Sequence, residues 1–217
     1  MEPEFSLQSR FADVVCTMPS MFETQRDVEV ANISLYRRGG RDPELEPGPI
    51  MLAESLGLRV DLVPGLGARA RLIGDRIQLR AEMSPAGLEY AAGHEVSHTY
   101  FGDSECNDPQ LERACDALSV AIIAPEPAMF RLRVNFGWKR VPQIARVLGT
   151  SDLIVALRWG TVMEEPVAVV LDRGGVRRSG PIMGADDRIL RAIARAGGGD
   201  GVRAVRIASG VMLIGPT

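Results

Sequence analysis

The spacing of apolar and polar residues divides the first half of the chain into a short helix and a small sheet. From Ile50 to Gly57 the apolar positions recur as on a helix that ends at a glycine. From Leu58 to Pro64 apolar and polar residues alternate as in a strand. The segment "ARLIGDRIQLR" predicts a hairpin that turns at Gly74-Asp75, with Ile77 and Leu79 on one face.

Two longer helices follow, and the same local signal starts each of them. Ser84-Pro85 provides an N-cap and a proline at the first helical position, which predicts a helix that continues to about Phe101. Asp108-Pro109 repeats the signal and predicts a second helix that continues to about Ile123. A short loop joins them, so we expect the two helices to pack against each other in antiparallel fashion.

The remaining segments are less regular, and together they predict an α+β protein. Residues 1–48 are interpreted as an N-terminal arm and linker, and residues 49–137 as a core of helices packed on a small sheet. Residues 138–163 predict a helix-turn-helix-like unit. Residues 164–217 predict a small α+β module with a helix at "DDRILRAIARA" and strands on both sides of it.

Composition excludes several classes of protein. The chain is 46% hydrophobic and 24% charged with a net charge of -3, which gives no overall basic field for nucleic acid or lipid. No apolar run has the length of a membrane-spanning helix, and the acidic start is unlike a signal peptide. Three cysteines, an odd number, favour a reducing compartment. We therefore expect a cytoplasmic protein; the oligomeric state is not predicted.

The first of the two long helices carries the only histidines of the chain, in the segment "HEVSH". His94 and His98 are four residues apart, so on a helix they point the same way and both can bind one zinc ion. Glu95 points to one side of that ion. It can act as general base, because it can take a proton from a water molecule that the metal activates.

A catalytic zinc ion needs a third protein ligand, and no third histidine exists. The third ligand must therefore be a carboxylate or a cysteine. The candidates lie in the loop and on the second helix: Asp103, Glu105, Cys106, Asp108, Glu112, Cys115 and Asp116. We favour Glu112, because a ligand on a packed helix is held more rigidly than one on a loop. Carboxylate-containing sites also admit Mn²⁺.

Two neighbours of Glu112 have alternative interpretations. Asp116 lies one helical turn further along and can accept the second ring N–H of a ligating histidine, with a solvated helix charge as the less favoured alternative. Cys115 is expected to be a small buried residue, with a His/His/Cys site as the alternative. Tyr90, Tyr100 and Arg113 are candidates for stabilising an oxyanion, but Tyr100 is about 120° from His94 on the helix and Arg113 is adjacent to a ligand, so neither of these two is well placed.

The segments "GHEVSH" and "LERACDALSVAIIAP" together resemble the ImmA/IrrE family of metallo-endopeptidases. In that family a His-Glu-x-x-His helix is followed by a helix that begins with a ligand glutamate and ends in proline, and Glu112 and Pro125 occupy those two positions. The resemblance covers about Ile50 to Trp159. Cys115 stands at a family alanine and Asp116 at a family asparagine.

The resemblance implies a zincin-like core and a zinc-dependent endopeptidase that acts on a protein, namely a helix-turn-helix transcriptional repressor of mobile elements or stress responses. A substrate of this kind would lie extended along an edge strand, which the sequence places at Ile77, Gln78 and Leu79. Two other functions remain open. One is a non-proteolytic regulator or anti-repressor with a structural metal site, and the other is a DNA-binding regulator.

DNA binding is the less favoured of these functions. In the helix-turn-helix-like stretch Val141 to Trp159, Arg158 is the main residue that could reach base edges, and Arg140 and Arg146 are candidates for phosphate contacts. Because affinity for DNA depends on many basic contacts, we interpret the stretch as a packing unit.

Overall fold

The computed structural model of the chain describes residues 22, 24–102, 108–172, 175–180, 186–199 and 201–215. These residues form two compact units. The N-terminal unit contains the described residues up to Arg131 together with 148–150, and the C-terminal unit contains Leu132–Val147 and the described residues from Ser151 onward. None of the helices in the described residues is both long and apolar enough to span a membrane.

The N-terminal unit combines helices with one three-stranded sheet. Its elements are α1 (Gln25–Arg38), α2 (Pro49–Ser55), β1 (Arg59–Val63), β2 (Ala70–Ile73), β3 (Arg76–Arg80), α3 (Pro85–Phe101) and α4 (Pro109–Ile123). A further helix, α5 (Glu126–Phe136), crosses from this unit into the next. The predicted short helix, strand, hairpin and two long helices are all present.

Helix α1 lies in the region that the sequence indicates to be a weakly helical or partly ordered arm. Thr24 and Asp27 form a reciprocal capping box at its start, which satisfies two backbone N–H groups. Its inner face is buried and includes Asn32 and Tyr36, both fully inaccessible to solvent. Their side chains donate hydrogen bonds of 3.0 Å to the backbone oxygens of Ala121 and Ile122, at the end of α4. This helix is therefore an integral part of the N-terminal core.

The sheet places the predicted edge strand in its centre. The strand order is β1-β3-β2, with β3 parallel to β1 and antiparallel to β2. Ile77 and Leu79 are fully buried in the core. The prediction that Ile77, Gln78 and Leu79 form an edge is therefore wrong, because β3 uses its backbone on both sides to pair with neighbours. Within the described residues, β2 and β1 are the edges.

Helices α3 and α4 begin where the sequence predicts. The Ser84 side chain accepts a hydrogen bond from the N–H of Gly87, and the Asp108 side chain accepts one from the N–H of Gln110. The two helices pack closely at Gly93, where an added Cβ would lie 2.7 Å from the Ser119 hydroxyl oxygen. This close approach brings the faces that carry the candidate ligands together.

The C-terminal unit is built around a four-stranded antiparallel sheet. Its remaining elements are a 3-10 turn (Trp138–Arg140), α6 (Val141–Val147), α7 (Asp152–Val162), β4 (Val167–Leu171), β5 (Val176–Ser179), α8 (Asp187–Ala196), β6 (Arg203–Ile207) and β7 (Gly210–Ile214). The strand order is β5-β4-β7-β6. Helix α7 packs on β4 and β5, and α8 packs on β4 and β7. Strand β5 was not predicted.

The two helices predicted at Val141 to Trp159 are present as α6 and α7, but α7 is an interior helix. The residues from Leu153 to Gly160 are all buried, and Arg158 is only 2% exposed. An arginine at that depth cannot reach the base edges of DNA. The structure therefore agrees with the interpretation of this stretch as a packing unit.

Candidate metal centre

Two imidazole rings from α3 form one side of the candidate site. His94 and His98 are one turn apart on the helix, with ring centroids 5.0 Å apart. Their Nε2 atoms are 3.3 Å apart. His98 is buried and His94 is nearly so, which restricts the rings to this arrangement. The Nε2 atoms thus point to a common position, as the four-residue spacing predicts.

Glu112, in the first turn of α4, provides a carboxylate opposite the two rings. Its Oε2 lies 3.3 Å from His94 Nε2, and its Oε1 lies 3.5 Å from His98 Nε2. One ligand atom from each of the three residues lies within 4.8 Å of the others. Two imidazole nitrogens and one carboxylate oxygen are a donor set that suits zinc and leaves a coordination position open. The residues present therefore fit a metal ion of this kind.

Asp116 and Tyr90 form a hydrogen-bonded chain that ends at Nδ1 of His94. Asp116 Oδ1 lies 2.9 Å from His94 Nδ1 and also accepts a hydrogen bond from the Tyr90 hydroxyl. A carboxylate on Nδ1 keeps the proton there and leaves Nε2 available as a ligand. Tyr90 is also tied to α4 through its backbone oxygen, which accepts a 3.0 Å hydrogen bond from Ser119. Asp116 therefore lies within hydrogen-bond distance of the ring nitrogen of His94 that faces away from Glu112.

The contacts of His94 with Asp116 and Glu112 also affect the pKa of its imidazole. Burial lowers the pKa of His94, but hydrogen bonds to Asp116 and Glu112 and the neighbouring negative charges outweigh it and raise that pKa to about 10. The carboxylates thus stabilise a positive charge at the position where a cation would bind.

Glu95 is buried next to the candidate ligands and is not one of them. Only 8% of its surface is exposed, and burial raises the pKa of its carboxyl; the positive charge of His94 opposes this effect and the negative charge of Glu112 adds to it. The backbone N–H of Leu72, on strand β2, donates a hydrogen bond to the carboxylate. A buried carboxylate beside a metal position is suited to accept a proton and give it back.

Other predicted candidates are distributed differently. Asp103, Glu105 and Cys106 lie outside the described residues. Asp108 caps α4, and Cys115 is fully buried; neither belongs to the group that could hold a metal within the described part of the chain. Tyr90, considered for an oxyanion, contacts Asp116 instead. Its spacing of four residues before His94 is the sequence signal that could have placed it there.

Gln78 and its neighbours lie on the central strand β3, which pairs with β1 and β2. The strand that contacts the candidate site is β2, because the backbone N–H of Leu72 bonds to Glu95. Glu112 has 38% of its side chain exposed, which leaves this side of the site open to solvent.

Comparison with known proteins supports the fold class only. No protein-family model matches the sequence, and no curated protein matches it. Among solved structures, the chain is similar to a Mycobacterium tuberculosis transcriptional regulator, with a TM-score of 0.55 and 16% identity over 86% of this chain. The chain spans 62% of the length of that regulator. At this identity the similarity is one of fold: a mixed α+β protein with eight helices and two small sheets in the described residues.

Proposed function

We propose that the protein is a zinc-dependent endopeptidase. The observation that supports this proposal best is the convergence of His94, His98 and Glu112, with Glu95 buried beside them. A bound zinc ion would supply Lewis acidity and lower the pKa of water. Mn²⁺ is an alternative, since a donor set that includes a carboxylate accepts both ions.

Each residue around the site then has a separate task. His94, His98 and Glu112 hold the metal, and Asp116, itself bonded by Tyr90, keeps the proton of His94 on Nδ1. Glu95 takes a proton from the attacking water and passes it to the leaving nitrogen. Its buried position favours this exchange, because burial raises the pKa of its carboxyl and so helps it to take up the proton.

The substrate is proposed to lie along β2 instead of β3. Strand β2 is an edge of the sheet within the described residues, and Leu72 on this strand contacts Glu95. An extended peptide can add to such an edge through backbone hydrogen bonds, which supply affinity with little dependence on sequence. The resemblance to the ImmA/IrrE family makes a helix-turn-helix repressor the proposed substrate.

A second function is a regulator that keeps the metal for structure and acts by binding a partner. The observation that favours it is the similarity to a protein described as a transcriptional regulator. Base reading by α6 and α7 is not proposed, because Arg158 is buried.

The two functions are separated by one substitution. Zinc-loaded wild type and Glu95→Gln are incubated with purified helix-turn-helix repressors encoded in the same genome, and cleavage is followed by mass spectrometry. We expect Glu95→Gln to lose about 10²–10⁴-fold in cleavage rate while it keeps one equivalent of zinc. The exposed Glu54→Gln on α2 serves as matched control and should cleave as wild type does.

Cleavage by Glu95→Gln at the wild-type rate would contradict the role of the general base. Zinc binding and repressor binding without cleavage by either protein would favour the regulator instead.

A further inference from the structure

The charge of the chain is divided unevenly between its two parts. Residues 132–217 contain 13 Lys and Arg against 7 Asp and Glu, a net charge of +6. Residues 1–131 contain 12 against 21, a net charge of −9. The overall value of -3 therefore hides a strongly basic C-terminal part. Such asymmetry within one chain indicates a polyanionic partner for the basic part.

Three of these basic residues lie on one face of α8. Leu190, Ile193 and Ala194 face the sheet and pack on residues of β4 and β7. Successive residues of a helix are about 100° apart, so Arg188, Arg191 and Arg195 lie within about 60° of one another on the opposite face. They extend over about 10 Å of the helix axis.

Arg178 on β5 joins these three residues. It donates a 2.6 Å hydrogen bond to Asp187 at the start of α8, and Asp187 is also 3.6 Å from Arg191. We call these four residues, Arg178, Arg188, Arg191 and Arg195, the arginine surface. One aspartate is shared between two of its arginines, so the surface keeps a net positive charge.

The acidic residues of the C-terminal unit are mostly engaged elsewhere. Asp186 accepts hydrogen bonds from the first backbone N–H groups of α8, Asp172 pairs with Arg206, and Glu165 pairs with Arg203. Arg188 and Arg195 are exposed, and no acidic side chain pairs with them among the described residues. These two arginines therefore remain available to an external anion.

We propose that the arginine surface binds the phosphate backbone of nucleic acid without reading its sequence. Arginine binds phosphate oxygens in a bidentate manner, and a row of arginines on a rigid helix matches a row of phosphates. The residues between them on the exposed side, Ile189 and Ala192, have no hydrogen-bonding side chain to read a base edge. Insertion into a membrane is not available to α8, because its apolar face is already packed on the sheet.

The proposal is independent of peptidase activity and is tested with the full chain. Binding to a labelled DNA duplex of about 30 base pairs and arbitrary sequence is measured by fluorescence anisotropy between about 50 and 200 mM salt, the range in which such contacts weaken. Wild type is compared with Arg188→Glu/Arg195→Glu. The matched control is Arg26→Glu/Arg37→Glu, which changes the charge equally at two exposed arginines of α1.

For wild type we expect the slope of log K against log salt to be about −3, as for three to four phosphate contacts. The α8 double variant should bind at least about tenfold more weakly, with the slope reduced by about 2. The α1 control should stay within about twofold of wild type, and Arg188→Lys/Arg195→Lys should keep most of the slope. Thermal unfolding should not change, since the substituted side chains are exposed.

Three results would overturn the proposal. One is the absence of wild-type binding at the lowest salt, and another is an equal loss of binding in the α8 and α1 variants. The third is tighter binding to phosphatidylserine vesicles or to polyglutamate than to the duplex, which would assign the surface to a membrane or to an acidic protein.

Discussion

The two units of the protein place their polar side chains in opposite ways. Among the described residues, the N-terminal unit buries seven polar or charged side chains: Glu29, Asn32, Glu95, Ser97, His98, Asp116 and Ser119. The C-terminal unit buries two, Arg158 and Ser179. The buried positions of the four-stranded sheet in this unit are apolar, as at Val169 and Met212. Most arginines of the unit are at the surface.

This contrast indicates where each unit can act. Burying a polar group costs free energy unless it is hydrogen-bonded, so a buried cluster is kept only where its bonds are made or where it has a task. In the N-terminal unit, Glu95, His98 and Asp116 all belong to the candidate metal centre or contact one of its residues. In the C-terminal unit the interior is mostly apolar and contributes stability, so we expect binding to involve the charged surface. Three predictions test this contrast, beginning with the largest expected effect.

Removal of a ligand should affect only the N-terminal unit. We expect Glu112→Ala to weaken zinc binding by more than about 100-fold, because two histidines alone leave the ion without its carboxylate. Zinc affinity is measured by competition with a chromophoric chelator.

Removal of the metal from the wild type should loosen the same unit. A ligand that binds only the folded state stabilises it by about 2.7 kcal/mol at about 100 times its Kd. Chelation should therefore reduce hydrogen-exchange protection in α3 and α4 and leave β4 and β7 unchanged.

The matched control for this ligand is Glu54→Ala on α2. It removes the same charged side chain from the same unit at an exposed position, so it should bind zinc as wild type does. Equal affinity in Glu112→Ala and Glu54→Ala would remove Glu112 from the ligand set.

Removal of the Tyr90 hydroxyl, which bonds to Asp116, should have a smaller effect on zinc affinity than removal of Glu112. Tyr90→Phe removes the hydrogen bond that holds Asp116 against His94, and we expect about a tenfold loss of zinc affinity. Tyr36→Phe is the matched control, since it also removes a buried hydroxyl that bonds to α4, but at Ile122. It should lower the free energy of unfolding by about 1 kcal/mol and leave zinc affinity unchanged. Unchanged affinity in both variants would make Tyr90 a purely structural residue.

Alkaline pH should destabilise the N-terminal unit more than the C-terminal unit, and this is the smallest of the three effects. Burial raises the pKa of Tyr36 above its ordinary value near 10. A group whose pKa is raised on folding contributes stability that is present below its unfolded pKa and is lost as the pH rises above it. We expect the free energy of unfolding to fall by at most about 1.4 kcal/mol per pH unit above about pH 10 from this group. Tyr36→Phe should show a shallower fall.

All three tyrosines of the chain, Tyr36, Tyr90 and Tyr100, lie before residue 132, so this dependence belongs to the N-terminal unit. Exchange protection in β4 and β7 that declined as steeply over the same pH range would contradict that assignment.

Local signals explain which parts of the fold could be predicted. The starts of α3 and α4 depend on Ser84-Pro85 and Asp108-Pro109, which act within one helical turn. The alignment of His94 with His98 depends only on helical periodicity. Helix α1 could not be predicted as part of the core, because Asn32 and Tyr36 bond to backbone atoms 89 and 86 residues away.

The helices that carry the candidate ligands, and the one-turn spacing of His94 and His98, follow from the sequence alone, because hydrogen bonds and caps within a few residues set both. Three other features required the folded chain: which strand is an edge, which hydroxyl reaches Asp116, and the burial of Arg158. These depend on pairing and packing between segments distant in the chain, and an alternating strand such as β3 has the same pattern in the centre of a sheet as at its edge.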